Sequence, residues 1–332
     1  MKIDICVSDP MPTPNSSQPE TVANGALAMA LQKALPFSQA AQSDGTRRVY
    51  AEAFAQWAAW CDLHHTSALP AAPEAVAAYL ASLARAGKSV SAINVALSAI
   101  QSHHRACGHA LDRKHHAIAD IVAGIARTCE RPRERAAALD MGSLRRLIAS
   151  LSGDDLRSLR DRALILIAFF AALRRSEIAS LDLTGRSPIA LSDRGLVLHL
   201  TSTKASRRTE TVALPRRSDE LCPVAALETY LANAALTSGP LFRAISKAGR
   251  PLERRLDPTS VRHILAQRLS MAGLETARYS PHSLRAGFIT AAAAANVPEH
   301  LIQRTSRHKS VDVLRSYIRA ADAFDDNAAR FV

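Results

Sequence analysis

The chain has 332 residues, and its 42 Lys and Arg residues exceed its 30 Asp and Glu residues, giving a formal net charge of +12. Hydrophobic residues make up 48% of the chain, enough for folded cores, so a chain that is disordered throughout is excluded. The longest apolar run, residues 163–173, is far shorter than the roughly 20 residues of a membrane span, and the 5 cysteines form no CxxC pair. With no signal-peptide pattern, these features predict a cytoplasmic protein without a membrane segment, a disulfide framework or a structural zinc site.

The positive charge is unevenly distributed along the chain. Residues 1–130 are close to neutral, so the excess lies in residues 131–332, where arginine supplies most of it. Arginine forms planar, bidentate pairs with phosphate groups. A basic second part of this kind predicts a polyanionic partner, with nucleic acid favoured over a membrane surface.

The first part of the chain reads as a tail followed by a helical domain. Residues 8–20 are dominated by Pro, Ser and Asn, so residues 1–37 are predicted to be a disordered or weakly helical tail. Apolar residues then recur at helical spacing, and the start signals of helices are present. Residues 38–129 are therefore predicted to form an all-helical domain, with helices beginning near Thr46, Pro73, Ser89 and His116.

A charged segment with a proline separates this domain from a second one. Residues 130–137 are predicted to be a linker, and residues 138–332 a second domain. Two β-branched or alternating segments separated by the polar sequence TSTKASRR predict a hairpin or small sheet at 195–214. The fold class predicted is mainly α with this small sheet, and the helices of the second domain are expected at about 140–151, 158–173, 223–235, 258–272, 282–295, 298–306 and 310–319.

Arg174 directly follows the apolar run, at the predicted end of helix 158–173. A desolvated arginine there must be paired or must serve a ligand, because burying an unpaired charge is costly. Glu177 lies three residues on, on the same predicted helix face and within reach of Arg174. Taken alone, an ordinary ion pair at a helix end explains both residues.

The segment Ser280-Pro281 is typical of a helix start, with a capping serine and a proline at the first helical position. His282 and Arg285 then share one face near the positive end of the helix dipole. Because free backbone N–H groups point outward at such an end, the segment is suited to binding an anion. An ordinary solvated helix face explains the same residues equally well.

Three further residues complete an ordered set. Lys204 lies in the polar turn between the predicted strands, and Tyr317 follows His308 by nine residues on a short predicted helix. Individually, the lysine is typical of a solvated side chain and the tyrosine of a half-buried packing residue.

Taken together, LRRSEI, STKA, HSLR and RHKSVDVLRSY resemble the motifs of the tyrosine recombinase (phage integrase) family, in order and approximate spacing. In the first domain, QWAAWC and PEAVAAYLASLARAG are similar to the helical, SAM-like core-binding domain of the Cre-type members, which the chain resembles most in pattern. The resemblance covers residues 40–332. His308 agrees with most of the family, whereas Cre-type members have Trp there.

The resemblance implies metal-free phosphoryl transfer to and from DNA, with no ATP and no other cofactor. Tyr317 would attack the scissile phosphate and form a 3′-phosphotyrosine, Lys204 would protonate the leaving 5′-oxygen, and His282 would move a proton. Arg174 and Arg285 would hold the non-bridging oxygens.

In the same resemblance, His308 would donate a hydrogen bond to the phosphate, and Glu177 would support the site without taking part in the chemistry. No carboxylate cluster with spacing suited to Mg²⁺ is present, so no metal site is predicted.

The resemblance also implies partners: double-stranded DNA held in a C-shaped, two-domain clamp, and further copies of the chain, with no membrane. Four copies would assemble on paired sites by exchanging a C-terminal helix. The DNA-contact residues expected are Arg262, His263, Arg47, Lys88, Ser91 and Arg207.

Other interpretations of the sequence remain open at this point. A type IB topoisomerase-like enzyme that nicks and reseals DNA would use the same chemistry, and a non-catalytic DNA-binding protein would keep the fold alone. Metal binding by the histidine pairs is disfavoured, because adjacent helical residues point to different faces. These pairs are His64-His65, His103-His104 and His115-His116.

Overall fold

The computed structural model describes residues 42–129, 136–201 and 209–308, together with positions 29, 32, 33 and 315. Contacts within the chain divide it into two compact units, Met1–Arg133 and Glu134–Val332. Several predicted features lie outside the described residues: Lys204, Arg207, Tyr317, the helix at 310–319 and nearly all of the N-terminal tail.

The described part of the first unit is helical, as its periodicity predicted. Ser43 and Ser89 cap helices by accepting hydrogen bonds from the backbone N–H groups of Thr46 and Ala92. One apolar core, which includes the fully buried Trp57, joins the helices. These are α1 (Asp44–Leu63), α2 (Pro73–Arg85), α3 (Val90–Ala106) and α4 (His116–Cys129).

The described part of the second unit is a larger helical body with small antiparallel sheets, so the predicted mainly α fold class is confirmed. Its helices are α5 (Met141–Ala149), α6 (Leu156–Phe170), α7 (Arg175–Ser180), α8 (Pro223–Ala234), α9 (Pro258–Met271), α10 (Pro281–Ala294) and α11 (Glu299–Ser306). Its strands are β1 (Ile189–Ser192), β2 (Gly195–Thr201), β3 (Thr209–Pro215), β4 (Arg243–Ile245) and β5 (Pro251–Arg255).

The predicted hairpin is part of a three-stranded sheet in the order β1-β2-β3. Leu196, Leu198 and Leu200 alternate toward the core on β2 and are buried. The sequence did not predict β1 or the separate β4-β5 pair, because these strands expose most of their residues and carry little apolar alternation.

The helix α6 lies at the centre of the second unit, and 11 of its 15 residues are buried. It ends at Phe170, not at residue 173 as predicted, because Ala172 adopts a left-handed conformation with φ +47°. The chain then starts the short helix α7, which the sequence analysis did not predict. The apolar run is therefore a helix followed by a buried turn.

Within the described residues, no helix is both long enough and apolar enough to cross a membrane.

Candidate active site

The turn that follows α6 presents backbone oxygens to arginines from distant parts of the second unit. The carbonyl oxygen of Ala171 accepts a hydrogen bond of 3.0 Å from Arg307, and that of Ala172 accepts one of 2.6 Å from Arg285. Helix termination leaves such carbonyls without intrahelical partners. The turn thus fixes the guanidinium groups of both arginines.

Arg174 follows this turn and directly precedes α7. The sequence predicted it at the end of the helix that is α6. Its backbone N–H and its side chain each donate to the Glu177 carboxylate, at 2.8 and 2.7 Å. The predicted contact between these residues is therefore present. The expectation of a desolvated Arg174 is wrong: its side chain is 51% exposed, because the chain leaves the core at the start of α7.

The start of α10 is built as its sequence predicted. Ser280 accepts a hydrogen bond from the backbone N–H of His282, and Ser283 accepts one from the backbone N–H of Ser280. His282 is exposed, whereas Arg285, one turn further along, is only 1% exposed. The helix therefore places one residue at the surface and one charge deep behind it.

The end of α11 brings His308 to the same place. His308 is half-buried, and its Nδ1 lies 2.9 Å from the Ser306 hydroxyl. Burial lowers the pKa of His308 to about 4, with the positive charges of Arg285 and Arg174 adding to the effect. Although His282 has one side open to solvent, the protein around it desolvates the ring and lowers its pKa, and the same arginines add to the effect. Both rings are thus neutral at pH 7, beside fixed positive charges.

Four predicted residues from separate segments therefore lie close enough to act on one another electrostatically: Arg174, His282, Arg285 and His308. Guanidinium groups and neutral imidazoles arranged in this way favour binding of an anion such as a phosphate. The cluster that the sequence predicted is brought together for these residues. The predicted Lys204 and Tyr317 lie outside the described residues.

Comparison with known proteins decides the family. The model of the phage integrase family matches residues 138–323. An integrase/recombinase described as a XerD homolog, from Selenomonas ruminantium, is 30% identical over 296 residues, which cover 86% of this chain and 85% of the relative. The chain belongs to the phage integrase family. It is a tyrosine-type site-specific recombinase, as the motifs predicted.

More distant relatives agree with this assignment. The recombinase Cre of Escherichia phage P1 is 25% identical over 303 residues, covering 85% of each chain. Among solved structures, a lambda integrase dimer bound to a core site superposes on this recombinase with a TM-score of 0.56 at 16% identity. That match covers 90% of this chain and 96% of the other, and it shows that the fold is shared.

The described DNA-contact candidates of the recombinase are all at its surface. Arg262 and His263 are exposed on α9. Asp257 caps this helix by accepting a hydrogen bond of 2.7 Å from the Thr259 N–H. The candidates in the first unit are also exposed: Arg47, Lys88 and Ser91.

The histidine pairs of the first unit have other partners. His64 stacks on Trp60 and His103 on Phe54, each with ring centroids 3.9 Å apart. His104 is buried and bonded through both ring nitrogens, to Ile100 and Ala71. In the described part of the chain, no group of three or more His, Cys, Asp or Glu side chains is placed to hold a metal ion.

Sequence reasoning missed two buried ion pairs of the recombinase, one at this site and one in the core of the second unit. Arg307 is buried against Glu177, although it was read only as the neighbour of His308. Asp161 binds Arg160 and Arg268 in the core, joining α6 to α9. The sequence could have indicated the buried pair at Asp161, because this residue lies just before the apolar part of a predicted helix and a buried carboxylate needs a partner.

Proposed function

We propose that this recombinase cuts and rejoins duplex DNA through a 3′-phosphotyrosine at Tyr317, without metal or ATP. The observation that supports it is the convergence of Arg174, His282, Arg285 and His308 in one positive cluster. A pentacoordinate phosphorane-like state carries negative charge on its oxygens, and preorganised cations stabilise that charge most.

In this proposal, the Tyr317 oxygen forms a bond to phosphorus while the bond from phosphorus to the 5′-oxygen breaks. His282, which is neutral, takes up the phenolic proton, and Lys204 supplies a proton to the leaving oxygen. Attack by the 5′-hydroxyl of another strand reverses these steps and restores the tyrosine. Because the phosphate ester energy is kept in the phosphotyrosine, no nucleotide is consumed.

The arginines hold the phosphate during both steps. Arg285 is buried and anchored on Ala172, so its position is fixed before DNA binds. Arg174 is more exposed and is held by Glu177, so it faces the DNA from the surface of the unit. His308 contributes a neutral hydrogen bond, since its pKa of about 4 keeps it uncharged at pH 7.

DNA recognition is proposed to follow from the basic second part of the chain. The lambda integrase structure contains a DNA core site, and the same fold here exposes Arg262 and His263 on α9. A helix of this kind fits the major groove, where arginine reads guanine. Affinity is expected to come largely from phosphates, including contacts by Arg47, Lys88, Ser91 and Arg207, and to fall steeply with salt. A cytoplasmic location, where DNA is accessible, belongs to the same proposal.

Assembly of four copies on paired sites is also proposed. The second unit has an apolar groove of about 460 Å³ beside α11, lined by residues that include Phe170, Leu214, Phe288, Ala292, Leu301 and Ile302. The last residues of the chain include Phe324, Phe331 and Val332. Burying such side chains is worth roughly 1.5–3 kcal/mol each, so the groove is a suitable receptor for the tail of a neighbouring copy.

The test is to find where the protein becomes joined to DNA. Purified protein is incubated with random duplexes that carry a nick, so that the cleaved fragment dissociates and the adduct accumulates. Sequencing gives the DNA site, and mass spectrometry gives the modified peptide. We expect the adduct on Tyr317, in excess EDTA as in its absence, and its loss in Tyr317→Phe with DNA binding retained.

A matched variant, Tyr50→Phe, is expected to form the adduct normally, because Tyr50 lies in the first unit. An adduct on another tyrosine, or cleavage that requires added Mg²⁺, contradicts the proposal. Binding without any adduct indicates a non-catalytic DNA-binding protein. Relaxation of a supercoiled circle without joining of paired sites indicates a topoisomerase-like enzyme.

A further inference from the structure

Arg307 has an unusual backbone for an arginine. It follows α11 with φ +57° and ψ 37°, in the left-handed region. This conformation costs an ordinary residue roughly 1 kcal/mol relative to glycine. Its side chain is nevertheless only 5% exposed, so a charged group is buried at a strained position. Strain and burial together indicate that surrounding contacts hold this residue in place.

Those contacts reach several elements at once. One terminal nitrogen of Arg307 donates to the carbonyl oxygens of Ala171 and Thr305, at 3.0 and 2.8 Å. The other donates to Glu177 Oε2 at 2.7 Å. Its Nε lies 3.3 Å from Glu210 Oε2 on β3, an ion-pair distance without hydrogen-bond alignment. Arg307 thus joins α11 to the turn after α6, to α7 and to β3.

Two of these contacts lead directly to an arginine that is proposed to bind the phosphate. The second oxygen of Glu177 binds Arg174, and the carbonyl after that of Ala171 binds Arg285. The strand β3, with Glu210, follows the segment that contains Lys204. Arg307 is therefore the common neighbour of the groups that hold the proposed cations.

We propose that Arg307 is a positioning residue for strand cleavage: by binding Glu177 and the turn after α6, it orients Arg174 and Arg285 toward the phosphate. The inference rests on the proposed function of these arginines. It adds a role for a residue that does not itself touch the DNA phosphate.

The electrostatics of Glu177 support this role. Burial by itself raises the pKa of Glu177, but Arg307 and then Arg174 outweigh it, so that the net pKa is lowered. An ionised Glu177 accepts from both arginines, whereas a protonated carboxyl loses one acceptor. The charged groups that act on Glu177 are Arg307 after α11 and Arg174 on its own segment. One step further out, Glu210 on β3 pairs with Arg307, and the charges of Arg174 and Arg307 act on His308, together with those of His282 and Arg285 on α10.

The test uses Arg307→Gly, which removes the guanidinium and also relieves the left-handed backbone. A structural role alone predicts reduced stability, but glycine is the residue best suited to this conformation. We expect Arg307→Gly to fold and to bind the duplex recovered by adduct mapping. We expect its rate of cleavage to fall about 10- to 100-fold, the usual effect of misplacing a catalytic group.

The pH profile separates positioning from stability. Cleavage needs an ionised Glu177 to hold Arg174 as well as a neutral His282 to accept the phenolic proton, so the Glu177 contribution to the acid limb is the part that Glu177→Gln removes. Burial raises the pKa of Glu177, and the positive charge of Arg307 opposes this. Without Arg307 the pKa of Glu177 should be higher, so its contribution to the acid limb should move to higher pH in Arg307→Gly. Arg307→Lys keeps the charge but cannot form all the bonds, so its acid limb should move less.

Two further variants separate the loss of the Arg307 contacts from a change in backbone strain. Asn296→Gly relieves another left-handed residue, at φ +56°, whose backbone N–H donates to Ala293 in α10, and this variant should cleave normally. Glu177→Gln combined with Arg307→Gly should be little slower than the slower single variant, because both act on one contact.

Cleavage by Arg307→Gly at the wild-type rate, or an unshifted acid limb, overturns the inference. The inference is also overturned if the cleavage rate of the double variant falls by the product of the two single-variant losses, because the two residues would then act independently. If the proposed function fails instead, the wild-type protein itself forms no adduct at Tyr317, so the two failures are distinguishable.

Discussion

The arginines at the candidate active site differ in exposure. Arg285 and Arg307 are buried and bonded to backbone carbonyls of the same turn, whereas half of the Arg174 side chain is exposed. Buried cations that are fixed by the fold need no reorganisation when an anion arrives. The Arg174 side chain instead has access to solvent. A single site thus combines preformed and accessible charges.

At the same scale, His104 predicts how the first unit responds to acid. Its Nδ1 donates to Ile100 and its Nε2 accepts from the Ala71 N–H, so the buried ring must be neutral. Burial is the main cause of its lowered pKa. A lowered histidine pKa contributes stability fully above the unfolded pKa of about 6.5 and loses it as the pH falls below that value.

We therefore expect the free energy of unfolding of the first unit to decrease below about pH 6.5, by up to about 1.4 kcal/mol per pH unit from this residue. Both tryptophans, Trp57 and Trp60, lie in this unit, so their fluorescence follows its unfolding in the full chain. His104→Gln, which keeps an acceptor but does not titrate, should flatten the dependence. An equally flat profile for His65→Asn, which removes an exposed ring, would contradict the assignment to His104.

At the scale of elements, α10 is held unusually close to the start of the second unit. The backbone N–H of Leu139 donates to the Ser283 carbonyl at 3.0 Å, and that of Ala137 donates to Arg278 at 2.8 Å. Gly287 permits this approach, because a Cβ there would lie 2.1 Å from the Leu139 carbonyl oxygen. The position of α10 sets that of His282 and Arg285, so this packing belongs to the site.

Gly287→Ala is expected to destabilise the second unit by about 1–3 kcal/mol, because backbone cannot move aside as a side chain can. Cleavage should fall as well, since α10 shifts. Gly124→Ala, in a helix with no atom within 4 Å of the added Cβ, should instead stabilise its unit by about 0.5–1 kcal/mol. Denaturant unfolding followed by circular dichroism and by tryptophan fluorescence measures both. A Gly287→Ala variant as stable as wild type would show that α10 is not held by this contact.

At the scale of the whole molecule, each unit has its own apolar core. The second unit also has the apolar groove beside α11, which an exposed Leu301 borders. An apolar surface of this kind is typical of a site where another segment docks.

Deleting residues 322–332 should leave a folded protein that binds one half-site but does not assemble on two, because the groove loses its ligand. Leu301→Asp should have the same effect by placing a charge in the groove of an otherwise complete chain. Analytical ultracentrifugation on a duplex with two half-sites measures assembly.

A mixture of the two variants tests which copy supplies the tail. If the tail docks on a neighbour, the deleted chain offers an intact groove and the Leu301→Asp chain offers an intact tail, so pairs should form again. Failure of the mixture to pair, or full assembly by the deleted chain alone, would contradict docking between copies.

Local patterns in the sequence were sufficient for much of this protein. The Ser280 cap, the helix starts near Thr46 and Ser89 and the β2-β3 hairpin all depend on residues close in the chain, and all are present. The order of the motifs likewise identified the family. Such features are readable because capping and strand alternation are short-range effects.

Only the tertiary structure decided which charges are buried. Arg285 bonds to a carbonyl 113 residues away and Arg307 to one 136 residues away, and no local pattern encodes such contacts. The turn at Ala172 ended a helix that periodicity alone extended to residue 173, because a uniformly apolar run contains no stop signal. Family and motif order are thus properties of the sequence, whereas the exposure of Arg174 and the burial of Arg307 are consequences of long-range packing.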